Sequence, residues 1–175
     1  MPELAPQTVL SGMRPTGLLH LGHDEGVIRT WADLPALTAR RQPAELTRWS
    51  MEMVKDWLAL GIDPERATIF VQSHLPAHAE LATLLGMVTP VSWLERCPTY
   101  KDRVADLGQG SENQGLLSYP VLQAADIALY DATLVPVGED QVAHLELARE
   151  IVRRFNAAFP GAALVEPRPV LTRAS

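Results

Sequence analysis

The sequence predicts an α/β fold, a doubly wound, Rossmann-like parallel sheet. Three observations predict it. Short β-branched runs such as Thr68-Ile-Phe-Val71 alternate with longer stretches whose apolar residues recur at three and four, the pattern of parallel strands joined by helical crossovers. His20–His23, Gln72–Ser73 and Gly138–Gln141 all lie downstream of such strand-like runs, and ligands on these sheets sit at the carboxyl ends of the strands. The chain has 175 residues, 47% hydrophobic and 21% charged, enough for one domain with its own core.

Taken in order, Thr8–Ser11 is expected as a short buried strand and Gly12–Leu19 as loop. His20 to about Trp31 reads as a helix with Val27, Ile28 and Trp31 inward. The segment Asp33–Pro43 has prolines and no strand period. From Ala44 a strong helix is expected, with Leu46, Trp49, Met53, Trp57 and Leu60 on one stripe, between the start and stop signals Pro43 and Gly61. Thr68–Ser73 reads as a central strand buried on both faces. Pro76 opens a helix through Met87 with Leu81, Leu84 and Leu85 inward. Val88–Glu95 is mixed, Cys97–Leu107 includes a short helix, and Gly108–Gly115 is a polar loop. Leu116–Tyr130 reads as a helix that Pro120 starts or kinks. Thr133–Val137 is the next strand, and Gly138–Gln141 opens a long helix with Val142, Leu145, Ala148, Val152 and Phe155 on one face. Pro160–Ser175 is irregular, with room for one short strand.

Composition narrows the function. The net charge of −6 argues against a stand-alone nucleic-acid binder, which carries a basic face. Cys97 is the single cysteine, so a disulfide framework and a thiolate zinc cage are excluded. The N-terminal residues lack the pattern of a signal peptide, and no apolar run is long enough to span a bilayer. A cytoplasmic protein without membrane contact is expected. His74, His78 and His144 form no metal-ligand spacing, and no resident metal or permanent cofactor is expected.

The stretch Ser11–His23, SGMRPTGLLHLGH, suits a triphosphate. The first N–H groups of a helix are free to bond an anion, Gly22 lets a ligand approach the backbone, and His20 and His23 can donate to phosphate oxygens. The same two histidines also fit a helix cap or a turn.

The stretch Gly115–Phe155, GLLSYPVLQAADIALYDATLVPVGEDQVAHLELAREIVRRF, resembles the tryptophanyl-tRNA synthetases. These are class I enzymes of the HIGH-motif nucleotidyltransferase superfamily, and His20–His23 meets that motif. The SGMRPTG turn, the GIDPERATIFVQS segment at Gly61–Ser73 and the PTYKDR segment at Pro98–Arg103 are similar to that family too, so the resemblance covers most of the chain. The tyrosyl enzymes share the fold, but the GEDQ-x-x-HLELAR wording points to tryptophan.

The resemblance implies a tryptophan–tRNA ligase. Its substrates would be L-tryptophan, ATP with magnesium brought by the nucleotide, and tRNA(Trp), and the protein would be a homodimer. It implies catalytic roles for His20, His23 and Lys101. It implies ATP contacts from Arg14, Pro15, Thr16, Gly22, His23, Gly138, Glu139 and Asp140, with Arg14 where relatives commonly carry glutamine. Asp126 would accept the indole N–H, with Tyr119, Gln123, Gln141 and Gln72 completing the tryptophan site. Gln123 stands where some relatives carry methionine. Read without the resemblance, Asp126 is an ordinary helix residue, Glu139 and Asp140 are dipole partners at a helix start, and Lys101 is a solvated lysine.

The same resemblance implies a KMSKS loop and a helical anticodon-binding domain beyond a segment like Pro167–Ser175. It also implies an aromatic-rich inner strand between Trp31 and Pro43, where Asp33-Leu-Pro-Ala-Leu-Thr38 matches only the end of a DxHALT-like motif, with Pro35 at the histidine position. The expectation is therefore a partial catalytic domain over 1–175, incomplete at its C-terminus, lacking one inner strand and weakened in pyrophosphate release. Two alternatives stand beside it. One is a non-catalytic tryptophan- or ATP-binding paralogue or gene fragment. The other is a different nucleotidyltransferase with a His-x-Gly-His loop.

Overall fold

A computed structural model of the chain describes residues 8–13, 27–31, 33–36, 43–65, 67–108 and 112–171. Among these, five strands form one sheet: β1 (Val9–Met13), β2 (Val27–Trp31), β3 (Thr68–Val71), β4 (Leu134–Val137) and β5 (Arg168–Leu171). All neighbours are parallel, in the order β3-β2-β1-β4-β5. The helices are α1 (Asp33–Ala36), α2 (Pro43–Ala59), α3 (Ala77–Gly86), α4 (Val91–Glu95), α5 (Pro98–Leu107), α6 (Gln114–Ala128) and α7 (Val142–Ala158), with 3-10 turns at Gln72–His74 and Glu139–Gln141. Strand order reverses between β1 and β4, the place where a doubly wound sheet opens a ligand crevice at its carboxyl edge.

Alternation along β3 shows how both faces of the sheet are used. Ile69 and Val71 pack with Met53, Trp57 and Ile62, which seats α2 on one face. Phe70 points the other way and meets the rings of His78 and Tyr130. The main core lies on that second face. There Leu10 of β1 and Val135 and Val137 of β4 join Leu85 of α3, Leu94 of α4, Ala124 and Ile127 of α6, and Leu145 and Ile151 of α7. Burying each large aliphatic chain contributes about 1.5–3 kcal/mol.

Several expectations are met closely. α5, β4 and α7 fall where the sequence places them, and the irregular C-terminal stretch does contain one strand, β5. Side chains of α7 hold that stretch. Asn156 donates to the Leu164 carbonyl at 2.9 Å and accepts from the Leu164 N–H at 3.1 Å, and Arg153 Nε donates to Glu166 at 2.8 Å.

Other expectations are corrected. Val27–Trp31 is strand β2, not the end of a helix. Apolar residues at 27, 28 and 31 satisfy a helical spacing, but Val, Ile, Thr and Trp are strand formers. Pairing with both β1 and β3 decides the matter. The expectation of a missing inner strand fails for the same reason: β2 occupies that position, supplied by residues N-terminal to Trp31. The connection between Met13 and Val27 has the dozen or so residues that a parallel crossover needs.

β1 runs on through Gly12 and Met13, which were expected in loop. β3 lies at the edge of the described sheet rather than at its centre. The unpatterned stretch Asp33–Pro43 contains the short α1. Trp49 and Leu60 on the α2 stripe are exposed, as is Leu84 of α3. α6 begins at Gln114, capped by the Asn113 side chain accepting from the Leu116 N–H at 3.0 Å, and Pro120 lies inside it rather than starting it. No helix of the described residues is long and apolar enough to cross a membrane.

Candidate functional site

The chemistry-bearing residues gather beyond the carboxyl end of β3 and along α6. Gln72 follows β3 directly and is fully buried. Its amide nitrogen donates to both carboxylate oxygens of Asp126, at 2.7 Å each. Its amide oxygen accepts from the Leu34 N–H at 3.3 Å, which fixes the orientation of the amide. The Asp33 carboxylate in turn accepts from the Ser73 N–H at 3.0 Å. The DLPA remnant noticed in the sequence is thus the helix α1, which docks on the turn after β3 through one side chain and one main-chain donor.

Asp126 lies among apolar residues of α6 and is 7% exposed. His78, second residue of α3 and fully buried, places its Nδ1 2.6 Å from Asp126 Oδ1. The His78 Nε2 lies 2.8 Å from the Tyr130 hydroxyl. Asp126 and Tyr130 are four residues apart, one helical turn, so both meet the same imidazole. Phe70, His78 and Tyr130 close a triangle of rings with centroids 5.5–5.6 Å apart.

Burial pushes the Asp126 carboxyl above its ordinary range, and the nearby Asp33 charge adds to this. The hydrogen bonds from His78 and Gln72 oppose the shift. Burial and the Asp126 charge push the Tyr130 hydroxyl up to about 12. Tyr130 therefore stays protonated at neutral pH and can donate to His78 Nε2 while His78 Nδ1–H donates to Asp126.

A second buried pair lies nearer the start of α6. The Tyr119 hydroxyl is 2.7 Å from Nε2 of His144 on α7, and both residues are buried. At the carboxyl end of β4, Gly138 has φ −73 and leads into the turn Glu139–Gln141, where the Gln141 N–H donates to the Gly138 carbonyl at 3.0 Å. That φ is open to any residue, so the backbone conformation alone does not require glycine there. Glu139 is exposed, and Gln141 and Gln123 are half-buried. Asp140 belongs to the same turn.

Of the expected site residues, the structure joins Gln72 to Asp126 and sets Tyr119, Gln123 and Asp126 on one helix. Gly138–Gln141 sits on the sheet's carboxyl edge, at the strand next to the reversal. Lys101 is exposed on α5 and has no ion pair among the described residues. Arg14, Pro15, Thr16, His20, Gly22 and His23 lie outside the described residues. Among the described residues no three His, Cys, Asp or Glu side chains cluster as a metal site.

Sequence reasoning missed His78 and Tyr130. The signal for His78 was its place on the α3 stripe with Leu81 and Leu85, at i, i+3 and i+7, where a polar residue needs a buried partner. For Tyr130 it was the four-residue spacing from Asp126.

Comparison with known proteins finds similar sequences and similar folds. The family model described as tRNA synthetases class I (W and Y) matches residues 3–174. The chain is 52% identical over 169 residues to a tryptophan–tRNA ligase of Ralstonia nicotianae, covering 88% of this chain and 42% of that one. It is 47% identical over 181 residues to a tryptophan–tRNA ligase of Thermotoga maritima, covering 94% and 55%. The chain thus spans about half the length of the curated relatives it matches. Among solved structures it is similar to the Campylobacter jejuni tryptophanyl-tRNA synthetase complexed with ADP and tryptophan, with a TM-score of 0.85 and 34% identity over 95% of this chain and 56% of that one. A tyrosyl-tRNA synthetase from Archaeoglobus fulgidus, at 23% identity and a TM-score of 0.71, shares the fold.

Proposed function

The chain belongs to the class I tRNA synthetases of the tryptophan and tyrosine family, and on that premise we propose that it serves tryptophan activation by ATP, with Asp126 as the residue that reads the indole. The observation that carries the choice of tryptophan is the buried Asp126 carboxylate in an apolar helix face. Indole offers one donor and no acceptor. A carboxylate already held by Gln72 and His78 supplies the single acceptor needed, and a side chain without that donor would leave a buried charge short of a partner.

In this reading the amino-acid carboxylate attacks the α-phosphorus of ATP in line. The bond from that phosphorus to the bridging oxygen breaks, and pyrophosphate leaves. The tRNA terminal ribose hydroxyl then attacks the adenylate carbonyl and releases AMP. The protein's part is positioning and charge stabilisation. His20 and His23, by their sequence pattern, would face the phosphates with Arg14, Pro15, Thr16 and Gly22. Gly138–Asp140 would hold the adenosine, and Gln141 and Tyr119 the amino-acid backbone. The Tyr119 hydroxyl, 2.7 Å from His144 Nε2, is the polar group this residue would present to the ammonium. Gln123 would line the pocket and Lys101 would reach a phosphate. Magnesium would arrive with ATP. A homodimer acting on tRNA(Trp) in the cytoplasm completes the reading.

Calorimetric titration with L-tryptophan, L-tyrosine and ATP tests it, followed by tryptophan-dependent ATP–pyrophosphate exchange. Tryptophan is expected to bind and tyrosine to bind at least about 100-fold more weakly. Equal affinity for the two amino acids, or no tryptophan binding, would overturn it. Tryptophan binding without exchange favours a non-catalytic binding protein.

A further inference from the structure

We propose that His78 is the positioning residue for donor recognition, holding the Asp126 carboxylate so that one oxygen stays open to an incoming N–H. This rests on the reading of Asp126 as the indole acceptor and goes beyond it. The evidence is the distribution of contacts on the carboxylate. Oδ1 takes His78 Nδ1 at 2.6 Å and shares the Gln72 amide at 2.7 Å. Among the described residues, Oδ2 takes only Gln72, at 2.7 Å. A carboxylate has about four lone-pair sites, so Oδ2 keeps capacity for one more donor.

His78 is itself fixed from three sides. Nδ1 is on Asp126, Nε2 is on the Tyr130 hydroxyl, and the ring packs on Phe70 with centroids 5.6 Å apart. An ionised carboxylate only accepts, so against it Nδ1 carries the hydrogen of this contact. The groups facing Asp126 come from four places: Asp33 on α1, Gln72 after β3, His78 on α3, and Tyr130 one turn on from α6's Asp126. His78 is the one that engages Oδ1 alone and so biases the carboxylate to present Oδ2. Loss of His78 would leave both oxygens equivalent toward Gln72 and free the carboxylate to rotate.

The test compares L-tryptophan with its sulfur isostere, 3-benzothienylalanine, which has the same shape and no N–H. Calorimetry on the whole chain gives both dissociation constants. The unmodified protein is expected to prefer tryptophan by about tenfold or more, the worth of a hydrogen bond to a charged group. His78→Phe should cut that preference to about threefold or less, with affinity for the isostere unchanged. His78→Asn, which can donate from a similar position, should restore most of it.

A merely structural role would weaken both ligands equally, and that result overturns the proposal, as does an undiminished preference in His78→Phe. Should His78→Phe fail to fold, Tyr130→Phe carries the test: it frees Nε2 and should lower the preference by about threefold, and an unchanged preference overturns the proposal. If the unmodified protein binds neither ligand, the tryptophan reading falls and this inference with it. If it prefers tryptophan and the variants do too, only the role of His78 falls.

Discussion

Replacing Gln72 by leucine isolates the contribution of the buried polar network. The substitution keeps approximate size in a fully buried position. It removes the donor on both Asp126 oxygens and the acceptor for the Leu34 N–H. A hydrogen bond to a charged group contributes about 1.5–3 kcal/mol, and an orphaned buried donor costs about 1–3 kcal/mol. Partial relaxation at α1 reduces the second cost, so Gln72→Leu should destabilise the fold by roughly 2–4 kcal/mol at pH 7.

The sign with pH is fixed by Asp126. Its folded carboxyl titrates above its ordinary value of 3.8, so the folded state holds that proton more tightly than the unfolded chain. The stability this adds is fully present below the unfolded value and is lost as pH rises through the folded one. The Gln72 hydrogen bond restrains that rise. Without it Asp126 titrates higher still, and the loss on raising pH is deeper. The gap between the unmodified protein and the variant should therefore widen between about pH 4 and pH 7. Urea unfolding followed by tryptophan fluorescence at both pH values measures it. A gap that is constant with pH, or below about 0.5 kcal/mol at pH 7, would refute the reasoning.

Other outcomes follow from single contacts. Tyr130 titrates at about 12 in the folded chain. Ionisation thus favours the unfolded state between its unfolded value of about 10 and that point, and stability is lost across that window as pH rises. In a spectrophotometric titration at alkaline pH, Tyr130→Phe should remove a tyrosine step at about pH 12. Asn113→Ala removes the cap on the Leu116 N–H and should cost about 1 kcal/mol in urea unfolding. Asn156→Ala breaks both bonds to Leu164 and should cost about 1–3 kcal/mol, with earlier protease cleavage in the segment between α7 and β5.

The fold was legible where hydrophobic period and length agreed. α7 showed a clean stripe of Leu145, Ala148 and Val152, and each is buried. β4 was a bounded apolar run. The reading failed where a short segment satisfied two periods. Val27, Ile28 and Trp31 suit a helix face on spacing alone, and only the partner strands on either side settle it. β3 looked central because Thr68–Val71 is a run of β-branched and aromatic residues, yet its own burial comes from α2 on one face and from His78 and Tyr130 on the other. Of the candidate site, Gln72 and Asp126 were legible by type and by resemblance. Their direct hydrogen bond was not, because 54 residues separate them and no local pattern encodes such a contact.

The relation between α1 and the carboxylate explains why an altered motif is compatible with an intact network. Pro35 stands where the resemblance implies a histidine, so a side-chain donor is lost at that position. The structure anchors this region otherwise: the Asp33 carboxylate accepts from the Ser73 main chain, and the Leu34 main chain donates to Gln72. Every residue but proline carries a main-chain N–H, so such contacts survive many side-chain changes as long as the local helix forms. The arrangement has an electrostatic cost, because Asp33 adds a like charge that raises Asp126 further. Gln72 and His78 offset that cost by hydrogen bonding to Asp126, which makes them, and not the altered motif, the residues on which its ionised state depends.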